Sequence, residues 1–261
     1  MNRVEIQDVG SYLLAIASFL ESSKRLWYRG QSKDNTEYKL LPSSFRNSTD
    51  EDYEMDFYMK FKAKAVPFLE KLPNSFWDWL FIMQHHGVPT RLLDWSEDAL
   101  IALMFAIEYR STTDPIEFDA VVWCLDPLEL NRNFNFQSTR NNIPNIESED
   151  ITSIFGPESP PGVPINHPIA VIGSLNSERI IAQKGVFTLF PKPPSVRALE
   201  ETNNADRFLS KIVIKKSAID TIKKQLYNIG INESSLYPGL DAIGKIIIRE
   251  HKENLLSAGG V

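Results

Sequence analysis

"VPTRLLDWSEDALIALMFAIEYR", Val88–Arg110, joins a short extended segment to a helix, and its reading decides the fold. Ser96 is placed to cap that helix, with Glu97 and Asp98 behind it. Nine apolar residues in a row, Ala99–Ile107, then require a helix buried on nearly every side. That run is about half the ~20 residues a membrane span needs, so it reads as core.

Upstream, "LWYRGQ", Leu26–Gln31, reads as a strand carrying Arg29 between aromatics and Gly30. Periodicity alone leaves Arg29 either a solvated edge residue or a cation held for an anion. Before it, Val9, Leu13, Ile16 and Leu20 recur at helical spacing within Gln7–Ser23. After it, "YKLLPSSFR" reads as extended, because Pro42 has no amide hydrogen for a helix ladder. A long helix is predicted to open at Ser48–Thr49, with Asp50, Glu51 and Asp52 in its first turn and Pro67 splitting it. Another runs from about Ser75 to His86, with Trp77, Leu80, Phe81 and Gln84 on one face and Gly87 as its stop.

Downstream, "DAVVWCLDP" is an interior strand closed by Asp126–Pro127. Residues 130–168, rich in Asn, Ser and Pro, read as an excursion of lid or flap type with few apolar anchors. "ERIIAQKGVFTLF" reads as a strand or hairpin and "LSKIVIKK" as a strand. A helix capped by Ser217 runs to Asn228, with Ile219, Ile222 and Leu226 inward and Gly230 as its stop, and a last helix follows Pro238. Strands and helices in no regular alternation predict an α+β fold, a single domain over 1–261 with a mixed or antiparallel sheet.

Composition narrows the chemistry. Twenty-eight basic and 34 acidic side chains give a net charge of −6, which speaks against a general polyanion or nucleic-acid binder and leaves room for one focused anion pocket. The lone Cys124 excludes an internal disulfide and a thiolate zinc cluster. His85 and His86 point about 100° apart on a helix, so they do not share a metal, and no metal is expected. The first ten residues show no apolar signal region, which makes the cytoplasm the expected location and a membrane partner unexpected. The GxSxG, GxxxxGK[ST] and GxGxxG signatures are absent.

The densest polar stretch is "MQHHGVPTRLLDWS", Met83–Ser96, fourteen residues holding Gln84, His85, His86, Thr90, Arg91, Asp94, Trp95 and Ser96. A helix end, a turn and a helix start lie within it, so its polar groups can converge. The bland readings are an Arg91–Asp94 ion pair clamping the loop, His86 meeting a negative helix end, and core roles for Trp77, Trp79 and Trp95.

"WYRGQS", "LLPSSFR", "QHHGVPTRLLDWSEDALIALMFA", "RIIAQKGVF" and "LYPGLDAIGK", in that order, resemble the FRG domain family over about residues 5–250. Arg29, Gly30, Arg46, Gln84, His85, Thr90, Arg91, Asp94, Trp95, Arg179 and Gln183 fit its pattern. The order "WYRG", "LLDWSEDALIALMFA", "SERIIAQKGVF" is also similar, more weakly, to arginine-type ADP-ribosyltransferases, with Asp94-Trp95-Ser96 where that family has Ser-Thr-Ser. The second resemblance implies NAD or a related nucleotide as substrate. Arg29 would then hold phosphate, with Gly30 beside it. His85, Gln84, Arg179 and the Thr90–Ser96 loop would position ribose or base, and Glu178 or Gln183 would sit at the reacting carbon. The acceptor would be a protein, a nucleic acid or water, in a setting of conflict between bacteria and phages. Two other classes stay open: a non-catalytic domain sensing a nucleotide, a small molecule or a phage protein, and a nucleic-acid enzyme.

Overall fold

Chain order in the computed structural model begins β1 (Asn2–Ile6), α1 (Val9–Leu20), β2 (Trp27–Gln31), α2 (Ser43–Arg46) and α3 (Glu54–Ala65). It continues through α4 (Phe76–His85), β3 (Leu92–Ser96), α5 (Ala99–Glu108), β4 (Ala120–Leu125), α6 (Pro127–Arg132) and α7 (Glu149–Phe155). Then follow β5 (Ile169–Val171), α8 (Glu178–Ala182), β6 (Gly185–Leu189), α9 (Ala205–Phe208) and β7 (Leu209–Ile214). Three helices end the chain: α10 (Ile219–Asn228), α11 (Glu233–Leu236) and α12 (Leu240–Ala258). The structure describes residues 1–35, 37–46, 53–108, 118–133, 142–159, 167–174, 177–193 and 196–258.

The strands form one mixed sheet in the order β1-β7-β4-β2-β3-β6-β5, so the fold is α+β as the pattern predicts. β1 and β7 are parallel, and every other pair is antiparallel. Along β4 the pleat sends Val122 and Cys124 into one core and Val121, Trp123 and Leu125 into another. The first core is filled by α1, α5 and α10. Burial pushes the Cys124 thiol up, which makes it an inert small hydrophobe. No helix among the described residues is long and apolar enough to cross a membrane.

Several local expectations are corrected. In α1, Val9 and Ile16 are buried beside Tyr12, Ala15 and Phe19, whereas Leu13 and Leu20 are 47% and 42% exposed. The Tyr12 hydroxyl donates to the Ala99 carbonyl at 2.7 Å, which turns that side of the helix inward. The extended reading of "YKLLPSSFR" stops at Pro42, whose carbonyl accepts from the Phe45 amide at 3.1 Å to open α2. Proline costs nothing at a helix start, where amides are unpaired in any case. The helix opening expected at Ser48–Thr49 lies outside the described residues, and Pro67 sits in a 3-10 turn, Val66–Phe68, that ends α3.

Ser96 closes β3 and does not cap α5; Asp98 does, its carboxylate accepting from the Leu100 and Ile101 amides at 2.9 and 3.3 Å. Ser217 lies in a 3-10 turn, and α10 starts from Ala218 with no side-chain cap. The described parts of the 130–168 excursion are folded and anchored: Ile146, Ile151 and Phe155 are buried against α4 and β6. Positions 134–141 and 160–166 lie outside the described residues. "ERIIA" is helix α8, started by Ser177, whose hydroxyl accepts from the Ile180 amide at 3.2 Å. β1 was not foreseen, because its alternation spans five residues with mostly charged or polar neighbours.

At the end of α5, burial raises the Glu108 carboxyl to about 7, with Lys245 opposing and Glu233 adding to the shift. Between its ordinary value of 4.5 and about 7, the folded chain keeps a proton that the unfolded chain has lost. Stability therefore falls as pH rises through that window and levels off above it. Urea midpoints at pH 5 and pH 8 should show this slope, and Glu108→Gln should flatten it.

Candidate functional site

β2 and β4 share five register pairs, but β2 and β3 share one, Tyr28↔Ser96. The sheet thus opens along the β2–β3 seam, and a cavity of about 340 Å³ lies there. The side-chain position of Gly30 is turned toward α5. A Cβ at this position would lie 2.1 Å from the Ala102 carbonyl oxygen, so only glycine lets α5 rest on β2.

Arg29 spans the seam. Its Nη1 donates to the Asp94 carbonyl oxygen at 2.5 Å and lies 2.9 Å from the Asp94 carboxylate. Its side chain is 15% exposed, while that of Asp94 is 60% exposed. Desolvation works to raise the Asp94 carboxyl, but the Arg29 charge, a main-chain hydrogen bond and Arg179 outweigh it and hold the pKa below the usual value. Gln84 Nε2 donates to Asp94 at 3.3 Å, and Gln84 Oε1 accepts from Thr90 at 3.1 Å. The Arg29–Asp94–Gln84–Thr90 chain ties the two sides of the seam together.

The opposite wall comes from α8 and the start of β6. Arg179 and Gln183, four residues apart, share one face of the turn of helix and both line the cavity. The Arg179 guanidinium stacks 4.8 Å from the Tyr237 ring centre, and Gln183 Nε2 donates to the Leu236 carbonyl at 2.7 Å. Ser96 Oγ donates to the Gln183 carbonyl at 2.7 Å and accepts from the Asp98 amide at 2.9 Å, joining strand, cap and wall. His85, the last residue of α4, also lines the cavity. Burial, then the charges of Arg179 and His86, lower its pKa, so it is neutral at pH 7.

Arg29, Gly30, Gln84, His85, Asp94 and Trp95 line the cavity, as do Ser96, Arg179 and Gln183. Thr90, Arg91 and Glu178 are not part of its wall. Glu178 is exposed, on the other side of the helical turn from Arg179. The Arg91–Asp94 pair expected from spacing does not form. Arg91 is 2% exposed and its Nε is 2.8 Å from Glu54, itself 4% exposed, while its Nη2 donates to the Phe155 carbonyl. Three residues apart on and beside a strand, Arg91 and Asp94 point to opposite faces. Trp95 Nε1 donates to Thr188 at 3.1 Å, and His86 turns away toward Phe61.

Sequence reasoning had not assigned Tyr28, Gln31, Tyr38 or Arg46 to the site, nor Phe81, Phe105 and Phe187, all of which line it. For Arg46 the signal was present in "LLPSSFR", although its placement beside Arg29 needs the turn of α2. Among the described residues no group of His, Cys, Asp and Glu side chains could hold a metal ion.

No curated protein and no solved structure matches the chain. The FRG domain model matches residues 24–115, the stretch that supplies β2, α2, α3, α4, β3 and α5, and with them Arg29, Arg46, His85 and Asp94. Residues 24–115 of this chain are therefore identified as an FRG domain.

Proposed function

We propose that the seam cavity binds a nucleotide of the NAD class through its phosphates. One observation carries this reading: in a chain of net charge −6, Arg29, Arg46 and Arg179 converge on a cavity whose described lining holds a single carboxylate, Asp94. Aromatic side chains, Tyr28, Tyr38, Phe81 and Phe105 among them, supply apolar surface for a base. A small number of charged groups in a largely apolar concavity is the usual make-up of a ligand site.

Cleavage of the nicotinamide–ribose bond is the second reading, and Asp94 is what favours it. An oxocarbenium-like centre needs a carboxylate held ionised beside it, and Asp94 is ionised, half open to the cavity and fixed by Arg29 and Gln84. Glu178, the acid implied by the weaker resemblance, is exposed and outside the wall, so the binding reading stands first.

Calorimetry with NAD and ADP-ribose, followed by mass spectrometry of the mixture, separates these readings. Saturable binding with intact ligand supports binding alone. Free nicotinamide, abolished in Asp94→Asn, supports cleavage. No saturable binding of either compound overturns the nucleotide reading.

A further inference from the structure

The three arginines of the cavity are not equivalent. Arg29 is largely covered, and its charge is met at 2.9 Å by the Asp94 carboxylate, so it has little left for a ligand. Arg46 and Arg179 make no ion pair among the described residues. Arg46 spends its Nε on the Leu41 carbonyl at 3.0 Å, which fixes the guanidinium plane and leaves its two terminal nitrogens for other acceptors. Arg179 is held from one face by Tyr237, which orients the group while its edge stays available. Both are therefore preorganised forks of the kind that takes two oxygens of one phosphate.

Their placement bears on the ligand. Arg46 is within electrostatic reach of Arg29 and Asp94, on α2; Arg179 is within reach of Asp94 and His85, on α8. The cavity that holds the neutralised Arg29–Asp94 pair is thus also lined by two arginines, one from α2 and one from α8, that have no ion-pair partner among the described residues. A lone monophosphate would leave one of them unmatched, whereas a diphosphate offers each fork its own phosphate. Gln183, whose amide is already committed to Leu236, does not compete for that role.

Building on the nucleotide reading above, we infer that Arg46 and Arg179 grip the ligand, that Arg29 is a strut, and that the ligand class is a nucleoside diphosphate or a dinucleotide joined by one.

The test is calorimetric titration of the full chain with adenosine, AMP, ADP and inorganic pyrophosphate, for wild type, Arg46→Gln and Arg179→Gln. ADP should bind at least tenfold tighter than AMP. Each substitution should weaken ADP roughly tenfold or more, the scale of a lost charge-assisted pair, and leave any adenosine binding unchanged. Unchanged thermal unfolding of both variants checks that the fold survives. Should ADP bind all three proteins equally, or AMP bind wild type as tightly as ADP, the clamp is wrong while the nucleotide reading stands. Should no nucleotide bind wild type, pyrophosphate decides. Binding that both substitutions abolish keeps the clamp without the nucleoside, and no pyrophosphate binding removes it.

Discussion

Glu54→Ala should lower the unfolding free energy by about 3–5 kcal/mol, the usual cost of stranding one member of a buried ion pair. In a chain of this length that corresponds to a fall in Tm on the order of 10 °C. Glu54 accepts from the Arg91 amide at 3.1 Å through one oxygen and meets Arg91 Nε at 2.8 Å through the other. Without it, a guanidinium that is 2% exposed keeps its charge beside the Phe155 carbonyl and the Trp77 ring, 5.5 Å away, with no other carboxylate paired to it among the described residues. The control is the double variant Glu54→Ala with Arg91→Met. Removing both charges should recover a large part of the loss, because the pair's own attraction only offsets its desolvation. Thermal or urea unfolding reads all three proteins. A single variant within about 1 kcal/mol of wild type would mean that water reaches the pair.

Gly30→Ala is the second large effect, at least about 3 kcal/mol for an overpacked site with no room to yield. The added carbon would lie 2.1 Å from the Ala102 carbonyl oxygen and 2.6 Å from the Ala106 nitrogen, both main-chain atoms of α5. A flexible side chain would swing aside; a helix backbone has to move as a body. β2 and α5 would separate, and Arg29, one residue away, would leave its place opposite Asp94. The variant should therefore lose ligand affinity together with stability, although residue 30 offers no charge. Chemical unfolding and ligand titration on the same preparation measure both.

Much of the fold is written in local pattern. The strand at Trp27–Gln31, the buried helix after Asp98 and the interior strand Ala120–Leu125 follow from two-residue and 3.6-residue apolar periods. What did not follow locally was orientation. Read as a loop, Thr90–Ser96 makes Arg91 and Asp94 neighbours; once Leu92–Ser96 is a strand, they face apart and take partners from far along the chain, Glu54 and Arg29. Read as a strand or hairpin, "ERIIAQKGVFTLF" leaves open whether Glu178 or Gln183 faces a site. As a helical turn it sets Arg179 above Gln183 and sends Glu178 to solvent. Residue types marked the site region well, whereas Arg91, Asp94 and Trp95 take partners 37 to 93 positions away, Glu54, Arg29 and Thr188.

The seam between β2 and β3 changes how substitutions there have to be interpreted. Where main-chain pairing gives out after Tyr28↔Ser96, Arg29 reaches across to the Asp94 carbonyl as a backbone amide would in an unbroken ladder. The side chain is thus a rivet between two half-sheets, and cutting it loosens the frame before it touches any bound molecule. The residue that most plainly marks this sequence is, for that reason, the least informative single position at which to ask what the protein holds.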